Sequence, residues 1–402
     1  MTHEFRADPT PQRLLGGQDF CPFIPVFGAP KVMFEKGRGT ELWSSDGTRY
    51  LDFLSGIAVV SLGHCNPAVS DAIADQARTL MHVSNFFSNP VATEAAMKIN
   101  ALMRAAGAGN GQVFFCNSGA EANEAAIKIA RKFGGRGRHG VVTAYGSFHG
   151  RTLGALALTG QPAKHEVFQP MPEGFRYATF GDIASLESVI DPSVSAVMLE
   201  PIQGEGGVVP ADPAYLQAVQ ALCKERGLLF MMDEVQTGFC RTGKWFGFEH
   251  AGVRPDVVTF AKGIGNGMPV GAIWARKDVA SVMAPGDHGS TYSGTAIATA
   301  AVNAVIDEMT RLDACGLANR AGERIRAGLV GAPGVDHVRG AGLLLGVALT
   351  EGKDANAVAA ELLGKGLIVN AVNASTLRLA PPLTVSNAEI DEAIALIKGV
   401  LA

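Results

Sequence analysis

The chain has 402 residues, 47% apolar and 18% charged, with 49 glycines. That length exceeds what one hydrophobic core serves, so a large domain with a smaller one is expected, and the composition excludes a disordered or collagen-like chain. The net charge of -4 comes from 38 acidic and 34 basic residues mixed along the chain, which leaves no basic stripe for nucleic acid.

The N-terminal stretch MTHEFRADPTPQRLLGGQDF puts charges and prolines where a secretory signal needs an apolar run. No apolar run of about 18 residues occurs elsewhere, so no membrane span is expected and a cytoplasmic location is implied. The cysteines Cys21, Cys65, Cys116, Cys223, Cys240 and Cys315 form no CxxC pair and read as free thiols in a reducing compartment. The histidines are scattered, with no HExxH, so no metal is expected.

From about residue 110 to 275, short apolar runs alternate with helical patterns, as in an α/β unit with a mostly parallel sheet. Gln112 to Cys116 leads into Asn117-Ser118-Gly119-Ala120. The helix that follows carries Ala122, Ala125, Ala126 and Ile129 on one face and stops at Gly134-Gly135. Gly135 to Gly140 fits GxGxxG but follows a helix and precedes the apolar Val141-Val142 run, the reverse of a dinucleotide-binding turn, so it reads as a loop. Leu228 to Met232 leads into Asp233. Gly238 to Lys244 nearly fits a nucleotide-phosphate loop, but Trp245 stands where Ser or Thr is needed. Val257 to Ala261 leads into Lys262. Ligand crevices of open α/β sheets lie at the carboxyl ends of strands, so these endings should converge. Further on, Val338 to Leu349 and Leu367 to Val372 read as strands, Asn356 to Leu363 and Ala388 to Leu401 as helices. This α+β tail is expected to join the N-terminal segment in a small domain of residues 1–60 and 296–402, beside a large domain of 61–295.

Three of these endings carry chemistry. Ser118-Gly119-Ala120 opens a helix, so free backbone N–H groups and the positive end of the helix dipole suit a dianion, although Ser118 with Glu121 three residues on reads equally as a cap. Lys262 at a buried strand end could be an amine nucleophile, although a snorkelling lysine is the commoner fate. Asp233 and Glu234 are adjacent on a strand and point to opposite faces, so at most one faces a given site. An anion there could keep a pyridine nitrogen protonated. Phosphate anchor, amine and acid together are what pyridoxal phosphate requires.

With these residues in view, the motifs DGTRYLDFLSGIAV, LGHCNP, NSGAEANEA, FHGRT, EPIQGEGG, DEVQTGFCRTG, AKGIGNGMPVGA, HGST and LRLAPPL make the chain resemble the class III, or ω-, aminotransferases of fold type I, in particular the acetylornithine and ornithine branch. The resemblance implies a Schiff base between Lys262 and pyridoxal 5'-phosphate, with Lys262 then shuttling a proton. It implies Asp233 on the pyridinium nitrogen, Gln236 on the ring hydroxyl, Phe148 stacked on the ring and Ser118, Gly119 and Ala120 on the phosphate. Thr291 is similar to the threonine that reaches the phosphate across a homodimer interface. Arg378 resembles the grip on the α-carboxylate of glutamate or 2-oxoglutarate, Glu205 its gate, and Arg151 the arginine for the donor's distal carboxylate. A structural ion pair is the alternative for each arginine. Val60 and Phe27 stand where the branch has an amide and a phenol, making the donor end less polar, and Ser293 to Ala296 replaces the usual GGNP.

The reaction implied moves the terminal amine of N-acetylornithine, or a close ω-amino acid, to 2-oxoglutarate, giving a semialdehyde and glutamate in arginine biosynthesis. Ornithine, 4-aminobutyrate or succinylated donors are the alternatives, and a non-catalytic cofactor-binding module is the alternative of another class.

Overall fold

The computed structural model describes residues 23, 24, 26, 27 and 30–402. The expectations for the first twenty residues and for Cys21 lie outside them. The chain enters through an antiparallel ribbon, β1 (Phe34–Arg38), β2 (Glu41–Ser44) and β3 (Arg49–Asp52). Two helices, Pro67–Thr79 and Pro90–Ala105, follow; each has Asn as N-cap and Pro in its first turn, as helix starts favour.

A seven-stranded sheet forms the centre. In chain order it contains β4 (Gly111–Cys116), β5 (Gly140–Ala144), β6 (Phe175–Ala178) and β7 (Val194–Leu199). After a short ribbon, β8 (Ile202–Gln203) with β9 (Val209–Pro210), come β10 (Leu229–Asp233), β11 (Val257–Phe260) and β12 (Gly271–Arg276). Their spatial order is β4-β12-β11-β10-β7-β5-β6, and all run parallel except β12, antiparallel to both neighbours. Every residue of β5, β7, β10 and β11 is buried, which is why these strands read as unbroken apolar runs. The mostly parallel α/β architecture expected from the sequence is thus present.

The helix Gly119–Gly134 covers one face, with Ala122, Ala125, Ala126 and Ile129 buried as expected and Gly135 at φ 72° ending it. Gly135 to Gly140 is a loop into β5, and Gly238 to Lys244 is irregular, followed by a short 3-10 turn, Gly247–Ala251, rather than an α-helix. The C-terminal part differs in detail from expectation. Val338 to Leu349 is a hairpin rather than one strand, β13 (Val335–Ala341) and β14 (Leu344–Leu349). Leu367 to Val372 splits into β15 (Leu367–Ile368), which pairs with β3, and β16 (Asn370–Asn373), which pairs with β17 (Thr376–Leu379). The helices Ala355–Gly364 and Asn387–Leu401 lie where expected. Helices Ala296–Arg311 and Ala314–Leu329 were not assigned from the sequence; the first packs on the helices Pro67–Thr79 and Pro90–Ala105.

One buried cation ties these parts together. Arg241 bonds the carbonyls of Leu343 (3.1 Å) and Pro381 (2.5 Å) and the Ser61 hydroxyl (3.1 Å), so the segments carrying β14, β17 and residues 55–61 meet at the loop that follows β10. No helix among the described residues is long and apolar enough to cross a membrane.

Candidate active site

The parallel strands end at one edge, and their endings carry Asn117 and Ser118 after β4, Phe148 and His149 after β5, Glu200 after β7, Asp233 in β10 and Lys262 after β11. Antiparallel β12 brings its beginning, Pro269 and Val270, to the same edge. These residues line one cavity of about 390 Å³, together with Gly119, Ala120, Asn123, Arg151, Glu205 and Gln236. The turn at Ser118 and the Lys262 strand end are in contact range, since a Cβ on Gly119 would lie 3.5 Å from the Cβ of Ala261.

The anion cradle is the start of the helix Gly119–Gly134. Ser118 Oγ caps the Glu121 amide at 3.2 Å, while Glu121 Oε2 takes both the amide (2.6 Å) and the side-chain nitrogen (2.9 Å) of Asn117. The first amides of the helix, at Gly119 and Ala120, have no intrahelical acceptor and stay free for a ligand. Capping and anion binding are therefore compatible here rather than alternatives. A Cβ at Gly119 would meet Val235 at 2.9 Å, and one at Gly150 would meet Ala120 at 2.8 Å, so both glycines serve close packing around the cradle.

Lys262 sits at φ 52°, a conformation a non-glycine residue adopts at some cost and typically where function fixes it. Burial, helped by the nearby Arg378 guanidinium, pushes its amine down to about 8, against the pull of Glu205, Asp233 and Glu200. A substantial neutral fraction near physiological pH makes it a competent nucleophile.

Asp233 is positioned by three donors. Its Oδ1 accepts the Val235 amide (2.9 Å), and its Oδ2 accepts His149 Nδ1 (2.7 Å) and Asn123 Nδ2 (2.8 Å). That leaves lone-pair capacity on Oδ1 for a further donor in the cavity. Glu234 faces the other way and accepts the Gly247 and Phe248 amides (2.9 and 2.8 Å) and the Thr237 hydroxyl. Glu200, buried beside Asp233, accepts the Phe148 amide at 3.1 Å; burial first and then the Asp233 charge raise its carboxyl well above the ordinary range.

Arg378 on β17 is fully buried; its Nη1 bonds Glu205 Oε1 and Gln236 Oε1 (3.3 Å) and its Nε bonds Asn370 Oδ1 (3.1 Å). Burial alone would raise the Glu205 carboxyl, but the Arg378 charge and hydrogen bond outweigh it and hold it low. With Gln236 Oε1 taken, its Nε2 donors remain for the cavity. Gly204 makes room for that side chain, since a Cβ there would fall 2.2 Å from Gln236 Oε1. Arg151 stands at the mouth, its guanidinium 5.5 Å from the Phe148 ring centroid.

Four expected residues fall outside the lining. Arg378 is not in the lining but bonds two residues that are, Glu205 and Gln236. Thr291 is exposed, outside the cavity of its own chain, and Phe27 is 98% exposed. Val60 is half-buried, and Val59 lines the cavity in its place. The reason is local: Ser55, Gly56, Ile57 and Ala58 all have positive φ, between 53° and 70°, a left-handed turn held by Asp52 Oδ1 on the Leu54 and Ser55 amides. Asn123, His149 and Glu200 were missed. Glu200 ends an apolar strand just as Asp233 and Lys262 do, so the same signal marks it. Asn123, flanked by the helix's alanine stripe, looks like any exposed polar residue.

The donor set suits a phosphorylated pyridine aldehyde: amides for the phosphate, an amine for the aldehyde carbon, an anion for the ring nitrogen and an apolar ring, Phe148, for the ring face. Asn123 Oδ1, buried at the cavity without a partner among the described residues, is a further acceptor.

Comparison with known proteins agrees. The model of the aminotransferase class-III family matches residues 27–401. The acetylornithine aminotransferase of Caldanaerobacter subterraneus subsp. tengcongensis is 47% identical over 380 residues, 92% of this chain and 95% of the relative. Among solved structures, an ornithine aminotransferase of Toxoplasma gondii, with partial occupancy of PLP at its active site, superposes with TM-score 0.87 at 31% identity, covering 97% of this chain and 92% of that one. An N-acetylornithine aminotransferase of Stenotrophomonas maltophilia gives TM-score 0.79 at 32% identity, covering 92% and 95%.

Proposed function

This chain belongs to the class-III aminotransferase family, and from that premise we propose that it transfers the terminal amine of N-acetylornithine to 2-oxoglutarate, giving the semialdehyde and glutamate. The observation that carries the reading is the meeting of a lowered amine, free helix-start amides and a gated arginine in one cavity.

Pyridoxal 5'-phosphate supplies, when bound, an aldehyde carbon and an electron-withdrawing ring that stabilises negative charge at the substrate carbon. The chain's residues do the rest. The Gly119 and Ala120 amides, with Ser118, would bind the phosphate, and Phe148 would fix the ring plane. Asp233 would keep the ring nitrogen protonated, and Gln236 would hydrogen-bond the ring hydroxyl. Lys262 Nζ would hold the aldehyde carbon and, when free, would carry a proton between the substrate carbon and the cofactor; a group whose pKa lies near the working pH does this best. Arg378 grips the α-carboxylate of the keto acid when Glu205 swings aside, and stays masked by Glu205 while the terminal amine is bound. Arg151, with no ion-pair partner among the described residues, takes the donor's carboxylate at the mouth. Thr291, exposed on its own chain, serves a second copy's phosphate in a homodimer, and the enzyme works in the cytoplasm.

The test is a half-reaction of the cofactor-loaded protein followed by its absorbance, with N-acetylornithine beside ornithine and 4-aminobutyrate. Fastest bleaching with N-acetylornithine is expected. A preference for 4-aminobutyrate, which has a distal carboxylate but no acetamido group, would reject N-acetylornithine as the donor.

A further inference from the structure

Behind Asp233 lies a row of buried polar groups that the reaction does not touch. His149 Nδ1 meets Asp233 Oδ2 at 2.7 Å, and its Nε2 meets Thr143 Oγ1 at 3.0 Å. Thr143 Oγ1 lies 3.3 Å from Ser147 Oγ, and Ser147 Oγ accepts the Gly160 amide at 2.9 Å. Thr143 is 0%, Ser147 1% and His149 2% exposed, so no solvent corrects an error in this row.

The direction of the hydrogen bonds follows from the fixed end. The Gly160 amide can only donate, so Ser147 Oγ accepts from it. Among the described residues, the sole acceptor within reach of the Ser147 proton is Thr143 Oγ1. Thr143 then turns its own proton to His149 Nε2, which must be a bare acceptor nitrogen. The ring proton accordingly sits on Nδ1 and is donated to Asp233. In the reverse arrangement, Nε2–H donates to Thr143, Thr143 donates to Ser147, and the Ser147 proton is left buried with no acceptor. That arrangement also leaves either a bare Nδ1 lone pair facing a carboxylate or a buried imidazolium.

We infer that Thr143 and Ser147 are positioning residues for the transamination reaction: their two hydroxyls, oriented by the Gly160 amide, hold His149 in its neutral Nδ1–H form so that it donates to Asp233. Asp233 then keeps its negative charge and the orientation in which Oδ1 faces the cavity. The His149 tautomer follows from the hydrogen bonds alone. Its consequence for turnover rests on the function proposed above.

The experiment reads the ring nitrogens of His149 by ¹⁵N NMR in the cofactor-loaded protein, assigned by the signals missing from H149Q. The expected wild-type pattern is a protonated Nδ1 and an unprotonated, hydrogen-bonded Nε2. Thr143→Val, which keeps shape and removes the donor, should move the Nε2 signal downfield, and Thr143→Ser should restore it. Turnover of T143V should fall about tenfold, the lower end of what losing an orienting partner costs at metal-bound imidazoles, with recovery in T143S. A wild-type His149 protonated on Nε2 overturns the inference, as does an Nε2 signal unmoved in T143V. Should T143V not fold, the wild-type pattern alone decides. Lys262→Ala separates the two readings: it is expected to lose turnover while keeping the wild-type His149 pattern, so a failed functional assignment leaves the tautomer result standing.

Discussion

Arg378 gives Nη1 to Glu205 and keeps Nη2 buried without an acceptor among the described residues. A guanidinium so placed has a donor to spare. Under the proposed function an incoming carboxylate would take that donor, which would make the ion pair a competitor for substrate rather than a structural clasp.

Glu205→Gln keeps a hydrogen-bond acceptor and removes the charge that masks Arg378. The half-reaction with the ω-amine donor should slow about 10-fold or more, the scale of a lost charge-assisted hydrogen bond of about 1.5–3 kcal/mol. Glutamate should react as fast as in wild type, or faster. Stopped-flow comparison of the two donors checks this; equal losses for both would show that Glu205 does not discriminate.

Gly119→Ala tests the cradle. The added Cβ meets Val235 Cγ1 at 2.9 Å and Cγ2 at 3.0 Å, so the turn must shift outward, although the backbone conformation itself tolerates alanine. Cofactor affinity should fall about tenfold, since a displacement of tenths of an ångström weakens each short amide contact to a dianion. Equilibrium dialysis of the cofactor checks it, with unchanged affinity excluding the Gly119 amide as a phosphate donor.

Much of this site was legible because parallel strands buried on both faces announce themselves as apolar runs, and the residue ending each run lies at the crevice. Asp233, Lys262 and Ser118 were found this way, and Glu200 at the end of β7 obeys the same rule. Glu205, Arg378 and Gln236 became readable only through the resemblance, because their meeting depends on the β8–β9 ribbon and β17 coming together across 173 residues between Glu205 and Arg378. Val59 was not legible: a left-handed turn at Ser55–Ala58 decides which of two adjacent valines faces the cavity, and only one of its four residues is glycine. The Thr143–Ser147–His149 row was hidden for a related reason. Its members are buried polar residues near an apolar strand, and nothing in sequence says which of them share a hydrogen bond.

Glu200 separates charge from hydrogen bonding. Burial and the Asp233 charge raise its carboxyl well above the usual range, and toward Phe148 it serves as a hydrogen-bond acceptor. Glu200→Gln preserves that acceptor and should leave stability within about 1 kcal/mol, whereas Glu200→Ala strands the Phe148 amide and should cost about 1–3 kcal/mol. Urea midpoints of the two variants check the order; a glutamine variant as damaged as the alanine one would mean that Glu200 is needed as an anion.

The lowered Lys262 amine makes a prediction about stability whose sign can be worked out. In the unfolded chain this amine titrates near its ordinary 10.5, and in the folded, cofactor-free protein near 8. Below about 8 it is charged in both states, and the folded state carries the whole cost of burying the ammonium. Between 8 and 10.5 the unfolded chain binds a proton that the folded one does not, so stability rises with pH across that window. Lys262→Met removes the titrating group while filling the same space. Cofactor-free K262M should therefore be more stable than wild type at pH 7, and the gap should close as pH climbs from 8 towards 10.5. Other groups that titrate in this range are common to both proteins and cancel in the difference. Urea unfolding of the pair at a series of pH values measures it. A gap that stays constant across the window would mean that the amine is charged in the folded protein throughout, and a charged amine is a poor nucleophile for the aldehyde that the proposed reaction requires.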